Sequence, residues 1–504
     1  MLDGSETLPY PGSIAGIPVR VSGILLLQIC FLIFTVVLVL TPSSFAWSDE
    51  SLIYSCCVLI LLHGCWVLWS WKRLRGSLLE PYALIFVSAL LFNGGQAILE
   101  VFGLNRDGLL EGEFSLAHVA RVIPLTLCGF AALHCGALLA IRGSRRQPPP
   151  AQSAEAPSRI AALRAIGWFL LAVSAIPLLI LLKEAISTVL SSGYMGLYQK
   201  DVRVAGFVES GLRILSEFSV PGALLLMVGN GGRRFEALVG AAVLVSQALI
   251  LLFLGFRGGS VMPLVAAAWL WDRHVRRLPR GLLTATAAVV LIGIFPLVRE
   301  TRMATGSERK STSFFVQAYS TQDDNPAVSM LAEMGKSMSP LAHVMQLVPR
   351  ERGYDMGVGY AYALLTVVPS LFWDRHPSAV RGTPALWLIE MVDPYAAGQG
   401  GGIGFSFMAE AYLNFGMLGV VFVALLMGYL VVRFCLWAER RESMARSVVV
   451  AAFLPHLLFF VRQDSTDMPR AFVWYGLAPY AAYLFLERRF RLREQHGART
   501  VHLS

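Results

Sequence analysis

Apolar residues occur along this chain in long uninterrupted blocks, separated by short polar segments. A helix needs about 20 apolar residues to cross the hydrocarbon core of a bilayer, and twelve blocks approach or reach that length. The pattern therefore predicts an all-α polytopic integral membrane protein with about 12 transmembrane helices, in which residues 1–504 form a single integral membrane domain. The predicted spans are Val21–Leu40, Ser51–Trp71, Pro81–Phe102, Val119–Ile141, Ala161–Leu182, Leu212–Val228, Ala237–Phe256, Val261–Trp271, Gly281–Val298, Phe405–Arg433, Ser447–Val461 and Ala471–Leu486.

The overall composition supports this class. Hydrophobic residues make up 56% of the chain and charged residues only 15%, whereas a soluble domain carries about 25% charged residues. So few charges cannot cover so much apolar surface in water. A soluble globular fold is therefore excluded.

The cations are clustered in alternate polar segments. Residues 72–75, 142–146, 233–234, 273–280, 440–441 and 488–493 carry such clusters, while residues 41–50 have no Lys or Arg and residues 103–118 have only Arg106. Because Lys and Arg are retained on the cytoplasmic side of membrane proteins, both termini are predicted to be cytoplasmic. The net charge of +9 is then a topology signal, and no nucleic-acid partner is expected.

Three segments between the spans are long enough to have structure of their own. Residues 142–160, with three consecutive prolines, are predicted to form a cytoplasmic linker loop. Residues 183–211 and 299–404 fall on the opposite, periplasmic side. Within the larger loop, the apolar stretch Ala361–Phe372 is too short to span and predicts an interfacial or re-entrant helix.

Arginines on the periplasmic side are the first candidate binding residues. Arginine binds phosphate groups with two parallel hydrogen bonds, so an arginine-rich surface beside lipid suits an anionic ligand carried on a lipid. The alternative for each of them is ordinary solvated loop charge or contact with lipid headgroups. The candidates are Arg257, Arg299, Arg302, Arg375 and Arg462.

The tenth predicted span supplies the candidate catalytic group. It is longer than a bilayer requires, so its first two turns, with Glu410 and Asn414, are expected in or near the outer interface. The Glu410 carboxylate is either the partner of an arginine or a general base. His343 and His376 in the large loop are weaker candidates for the base.

Several kinds of site are not indicated by any motif. The chain has no dinucleotide fingerprint, no Walker A loop and no zinc-type spacing of its seven cysteines. No metal and no cofactor are therefore predicted. The glycine-rich segment 396–404 precedes the tenth span and is either an anion-binding nest or a flexible hinge.

Three short blocks give the chain a resemblance to a known family. They are Leu254-Gly255-Phe256-Arg257-Gly258-Gly259-Ser260, Gly353-Tyr354-x4-Gly359-Tyr360 with Val367-Val368-Pro369, and Gly404-Phe405-Ser406-x2-Ala409-Glu410-x-Tyr412-x-Asn414-Phe415-Gly416. With the span pattern and the large outer loop, they resemble the Wzy-type oligosaccharide repeat-unit polymerases. The resemblance covers roughly residues 190–430.

The resemblance implies a metal-independent glycosyltransferase with a GT-C_B-like fold in the bacterial inner membrane. Such an enzyme moves a growing glycan from undecaprenyl pyrophosphate to the non-reducing end of the next lipid-linked unit, in O-antigen or exopolysaccharide biosynthesis. A chain-length regulator and a flippase are the protein partners of such a system.

The resemblance also implies roles for individual residues. Glu410 would be the base, and the residues binding pyrophosphate and glycan would be Arg257, Arg299, Arg302, Arg375, Arg462, Tyr354, Tyr412 and Asn414. One departure concerns Ser370, which follows Pro369 where such polymerases often have a basic residue. The first cation after it is Arg375, so the role of Arg375 stays open.

Two alternative functions are compatible with the sequence. An O-antigen ligase would move the glycan to lipid A core and would favour an outer-loop histidine as base. A transporter of lipid-linked sugars or organic anions usually has two related halves and charges near the bilayer midplane. This chain has no visible repeat and carries its charges at one face, which favours the polymerase.

Overall fold

A computed structural model provides the structure of the chain. It describes residues 21–41, 47–106, 108–143, 156–198, 207–231, 234–298, 325–369, 373, 375–439 and 443–501. Within these ranges all regular secondary structure is helical, which confirms the predicted all-α class. Arg299 and Arg302 lie outside the described residues.

The helices of the first part of the chain follow the predicted spans closely. They are α1 (Val21–Leu40), α2 (Asp49–Arg75), α3 (Pro81–Val101), α4 (Leu116–Arg142), α5 (Pro157–Ser192), α6 (Phe207–Glu217), α7 (Ser219–Val228), α8 (Arg234–Leu254), α9 (Arg257–His274) and α10 (Arg280–Ala288), which continues through the π-helical segment Val289–Ile294.

Six short helices occupy the described part of the predicted large loop. They are α11 (Pro326–Gly335), α12 (Ser339–Leu347), α13 (Val358–Leu365), α14 (Pro377–Arg381), α15 (Pro384–Val392) and α16 (Pro394–Gly398). The chain ends with α17 (Phe407–Glu439), α18 (Met444–Phe460), α19 (Met468–Ala471), a π-helical segment (Phe472–Leu477) and α20 (Ala478–Val501).

The structure supports a polytopic membrane protein. In the described ranges, nine helices of at least 18 residues are apolar enough to cross a membrane, and α18 is a shorter apolar helix of 17 residues. The predicted spans over α9 and over residues 471–486 are helical as well. The count of twelve membrane crossings stays a prediction.

Helix α4 lies at the centre of the bundle. From residue 119 to residue 138, every residue except Arg121 is buried. It packs against α1, α2 and, along most of its length, α17. A side chain at Gly136 or Gly428 would overlap the backbone of the facing helix, so these two glycines allow α4 and α17 to approach closely.

Helix α17 is broken near its beginning. Gly416 has φ 68° and ψ −155°, a backbone conformation that is essentially restricted to glycine. In a straight helix Ala411 and Gly419 would be about 12 Å apart, yet a Cβ on Gly419 would lie 2.5 Å from the Ala411 carbonyl oxygen. The first arm, 407–415, therefore folds back against the rest of α17.

This break changes the predicted environment of the first arm. The sequence predicted a continuous helix whose first turns stand at the outer interface. Instead, all residues from 405 to 414 are buried. The arm begins beside the end of α18, where the Phe405 N–H donates to the Arg462 carbonyl, and the end of α3 reaches the same place through Asn93 and Val461. The start of α9 contacts α11 through Arg257 and Glu333, and α11 in turn packs against Gly95 of α3 at this end of the bundle. The candidate side chains of several segments therefore meet at this end.

Candidate active site

The Glu410 carboxylate is held by one residue of the turn between α18 and α19. Its Oε2 accepts a hydrogen bond from the Ser465 backbone N–H at 2.9 Å, and its Oε1 accepts one from the Ser465 hydroxyl at 2.7 Å. Glu410 is only 1% exposed. A buried carboxylate is tolerated when its oxygens are hydrogen-bonded, and Ser465 provides a donor to each.

The turn that carries Ser465 is fixed by the residues on either side of it. Asp464 accepts hydrogen bonds from the backbone N–H groups of Thr466 at 3.1 Å and Ala385 at 3.3 Å. The hydroxyl of Thr366 donates to the Thr466 carbonyl at 3.0 Å. Burial raises the pKa of Asp464, and the nearby Asp467 acts in the same direction, while the hydrogen bonds oppose it.

The end of α18 that leads into this turn is also held. The amide of Asn93 donates to the Val461 carbonyl at 2.8 Å, and the Phe405 N–H donates to the Arg462 carbonyl at 3.3 Å. The Arg462 guanidinium lies over the Phe92 ring at 4.9 Å and the Phe459 ring at 5.5 Å. The Arg462 backbone is thus bound to Phe405, which lies just before the broken helix α17. This contact places Arg462 near the site.

Asn414 joins this helix to the loop segment before α13. Its Oδ1 accepts a hydrogen bond from the Gly357 N–H at 2.9 Å, and its Nδ2 donates to the Glu410 carbonyl at 2.8 Å. The N–H groups of Asp355 and Met356 each donate at 3.0 Å to the carbonyls of Leu413 and Asn414. Gly357 and Asn414 are 57 residues apart in the sequence, so two of the blocks that carried the family resemblance are in direct contact.

Asp355 holds two arginines beside this contact. Its carboxylate accepts from Arg352 at 2.7 Å and from Arg381 at 2.5 Å. Each guanidinium also lies over an aromatic ring, Arg352 over Trp387 at 4.7 Å and Arg381 over Tyr362 at 5.0 Å. This cluster fixes the segment that carries Tyr354 and Tyr360.

Tyr354 and Tyr412 form a pair on the open side of the arm. Their ring centroids are 6.3 Å apart. Tyr354 is 38% exposed and Tyr412 is 6% exposed. Arg121 of α4 is exposed and interacts electrostatically with the Tyr412 hydroxyl. The pair and the guanidinium offer hydrogen-bond donors to an anion or to a sugar.

Tyr360 is the second aromatic residue near the carboxylate. Its ring lies parallel to that of Phe415, with centroids 6.3 Å apart. The hydroxyl is buried and has no hydrogen-bond partner among the residues that the structure describes. Burial and the nearby Glu410 raise the pKa of Tyr360, so this phenol is neutral and can donate a hydrogen bond.

Arg257 forms its ion pair with Glu333 and not with Glu410. It is the first residue of α9 and 7% exposed, and its Nη1 lies 2.9 Å from both carboxylate oxygens of Glu333 in α11. Its guanidinium is also 5.8 Å from the Phe295 ring. A buried cation is costly unless it is paired or faces water, and Glu333 is the partner of Arg257. Binding of an anion at Arg257 would require this pair to open or to be shared.

The other predicted candidates lie in different surroundings. Arg375 is exposed. His343 has its Nε2 3.5 Å from Glu113, and burial, with His118 nearby, lowers the pKa of His343. His376 caps α14 through a hydrogen bond from the Ser378 N–H at 3.2 Å. Both histidines are thus bound locally to residues other than those around Glu410.

Sequence reasoning missed two residues of this site. The signal for Arg121 was a cation within an otherwise apolar predicted span. Ser465 carried no signal, because a serine between an aspartate and a threonine is common in a polar turn. No group of three or more His, Cys, Asp or Glu side chains that could hold a metal ion occurs in the described ranges.

Comparisons with known proteins support the family indicated by the three blocks. The model of the family described as O-antigen polysaccharide polymerase Wzy matches residues 24–492. This match covers nearly the whole chain, including the first five spans. No curated protein and no solved structure gives a significant match.

Proposed function

Because this chain belongs to the O-antigen polysaccharide polymerase Wzy family, we propose that it joins lipid-linked oligosaccharide repeat units into a polymer. The growing glycan would leave undecaprenyl pyrophosphate and be attached to the non-reducing end of the next lipid-linked unit. The reaction would take place at the periplasmic face of the bacterial inner membrane, with both termini of the chain cytoplasmic.

The observation that carries this proposal is the meeting of the two motif blocks around Glu410, at the end of the bundle that lacks the basic clusters. Both lipid carriers can reach this end laterally from the membrane. A soluble nucleotide-sugar site is therefore not required. Charged groups at one face, rather than near the midplane, favour bond formation over transport.

We assign the general base to Glu410. Attack by a sugar hydroxyl on the anomeric carbon requires a group that accepts the hydroxyl proton, and such a base typically contributes about 10²–10⁴ in rate. Glu410 is held in place by hydrogen bonds: the Ser465 N–H donates to its carboxylate, and the Asn414 amide donates to its backbone carbonyl. His343 and His376, which a ligase would favour, are bound elsewhere.

We assign stabilisation of the departing diphosphate to arginines and tyrosines of the same end. Negative charge develops on the diphosphate as the glycosidic bond breaks, and fixed donors around it lower the barrier. Arg462, Tyr354, Tyr412 and the newly placed Arg121 are near the arm that carries Glu410. Arg257 would contribute by exchanging Glu333 for the diphosphate, and Arg299, Arg302 and Arg375 keep their predicted binding roles. The chemistry needs no metal if these donors supply the charge.

The test is reconstitution of the full chain in proteoliposomes with purified undecaprenyl-pyrophosphate-linked repeat units, followed by gel analysis of chain-length ladders. Wild-type protein is expected to give ladders, and Glu410→Gln is expected to reduce turnover by about 100-fold or more. Glu236→Gln is the matched control, because Glu236 is also buried but pairs with Arg164 at the opposite end.

The same assay separates the alternatives. If Glu410→Gln produces ladders at the wild-type rate, Glu410 is not the base. Glycan transfer to lipid A core without ladders would indicate a ligase. Translocation of the lipid-linked unit without formation of a glycosidic bond would indicate a transporter.

A further inference from the structure

Ser465 contacts both oxygens of the Glu410 carboxylate and is the more exposed of the two residues. Glu410 is 1% exposed, Ser465 is 8% exposed, and Thr466 is partly exposed. Each carboxylate oxygen already accepts a hydrogen bond from Ser465, at 2.7 and 2.9 Å. An incoming sugar hydroxyl would therefore meet the Ser465 hydroxyl before it could reach the carboxylate.

The position of this hydroxyl is fixed by the turn around it. Asp464 holds the N–H groups of Ala385 and Thr466, and the Arg462 carbonyl accepts from Phe405. Groups held in this way need little reorganisation during a reaction, which is what a site for proton transfer requires.

A second hydroxyl, that of Tyr360, lies near the same carboxylate. The Tyr360 hydroxyl is buried without a hydrogen-bond partner in the described part of the chain, and it lies within electrostatic range of Glu410. Leaving a buried hydroxyl unsatisfied costs about 1–3 kcal/mol. A hydroxyl-bearing ligand such as a sugar would satisfy it.

Resting on the polymerase function proposed above, we propose that Ser465 contacts the acceptor sugar hydroxyl and relays its proton to Glu410. As the acceptor oxygen bonds to the anomeric carbon of the donor glycan, the bond from that carbon to the diphosphate oxygen breaks, and its electron pair leaves with the diphosphate. The acceptor proton passes to the Ser465 oxygen, while the proton of the Ser465 hydroxyl passes to Glu410 Oε1. The serine is regenerated, and Glu410 ends protonated.

The two donors of Ser465 can be separated by substitution. The backbone N–H of residue 465 already donates to Glu410 Oε2, and any residue except proline provides that donor. Ser465→Ala therefore keeps the hydrogen bond to Oε2, and it removes the relay together with the donor to Oε1. Ser465→Thr keeps both.

The experiment measures turnover and KM for the lipid-linked acceptor in the reconstituted full chain, with the thermal unfolding temperature measured alongside. Ser465→Ala is expected to lower turnover by about 100-fold or more with little change in KM, and to lower the unfolding temperature because Glu410 Oε1 loses its donor. Ser465→Thr is expected to retain most of the turnover. Ser174→Ala is the control, because the buried Ser174 hydroxyl bonds only to the Leu171 carbonyl of its own helix.

A double variant tests whether the two residues act as one unit. Groups that act together give strongly non-additive losses, so Glu410→Gln with Ser465→Ala is expected to be no slower than Glu410→Gln alone. Multiplied losses would overturn the relay. So would wild-type turnover in Ser465→Ala, or equal inactivation and unfolding in both the Ala and Thr variants. These outcomes leave the polymerase assignment intact, whereas only the absence of ladders from wild-type protein contradicts that assignment.

Discussion

The break in α17 at Gly416 gives the sharpest prediction about how the site is built. Gly416→Ala places a Cβ in a backbone conformation that only glycine adopts readily, at φ 68° and ψ −155°. The new methyl group would also lie 3.2 Å from the Tyr354 hydroxyl oxygen and 3.3 Å from the Tyr354 ring. Both effects act against the folded-back position of residues 407–415.

The size of the effect follows from these two contacts. Holding a non-glycine residue in such a conformation costs about 1–3 kcal/mol, and 1.4 kcal/mol corresponds to about a tenfold change in an equilibrium constant. The folded-back arm is thus expected to lose about 5- to 150-fold in population relative to arrangements in which Gly416 relaxes. Tyr354 can shift because it is 38% exposed, so the close contact adds less than the backbone strain.

Two measurements on the reconstituted full chain test this reasoning. Gly416→Ala is expected to lower the thermal unfolding temperature and to shorten or abolish the polymer ladders. Gly281→Ala is the matched control, because Gly281 lies in α10, where an added Cβ would meet open space, and alanine favours helix there. Wild-type ladders and an unchanged unfolding temperature in Gly416→Ala would refute the requirement for the break.

Three further predictions concern single side chains. Asn414→Ala should lower the free energy of unfolding by about 1–3 kcal/mol, measured by thermal unfolding, because it leaves the Gly357 N–H without its acceptor. Arg121→Gln should lower turnover more than it raises the KM for the lipid-linked donor, because the role proposed for its guanidinium is to stabilise the charge that develops on the diphosphate as the glycosidic bond breaks; a raised KM with unchanged turnover would contradict this role. Asp464→Asn should be less stable than wild type at low pH, because Asn keeps only one of the two oxygens that accept from Thr466 and Ala385. The folded pKa of Asp464 is raised above its unfolded value of 3.8, so wild type should lose stability as the pH rises through the folded pKa, and thermal unfolding should show the difference between the two proteins becoming smaller.

The helices of this protein could be predicted from sequence because a bilayer imposes a simple rule. Each span must be about 20 apolar residues long and must satisfy its own backbone hydrogen bonds, and both requirements are visible in one dimension. The apolar runs accordingly fall on helices throughout the described ranges. The short helices of the large loop were only partly anticipated: the stretch beginning at Ala361 is helical from Val358 to Leu365, and residues 370–372 lie outside the described residues.

The partners within the site could not be predicted in the same way. Glu333 meets Arg257 across 76 residues of sequence, and Ser465 meets Glu410 across 55. Such pairs depend on how the outer segments pack against one another, and the hydropathy of the sequence contains no information about this packing. The three blocks pointed to Glu410, Asn414 and Tyr354 because of their resemblance to a family, and the structure then brought two of those blocks together.

Gly416 explains why the burial of Glu410 within the protein was not predicted. In a continuous helix, Glu410 would stand six residues, or about 9 Å, further outward than Gly416, at the level of the lipid headgroups. Folding the arm back at Gly416 moves the same carboxylate into the bundle, where it is 1% exposed. A carboxylate at such a place is costly unless donors meet it, and the two donors of Ser465 do so only if the turn after α18 is fixed. Gly416, Glu410 and the turn that carries Ser465 therefore depend on one another, and a change at any of the three should disturb the other two.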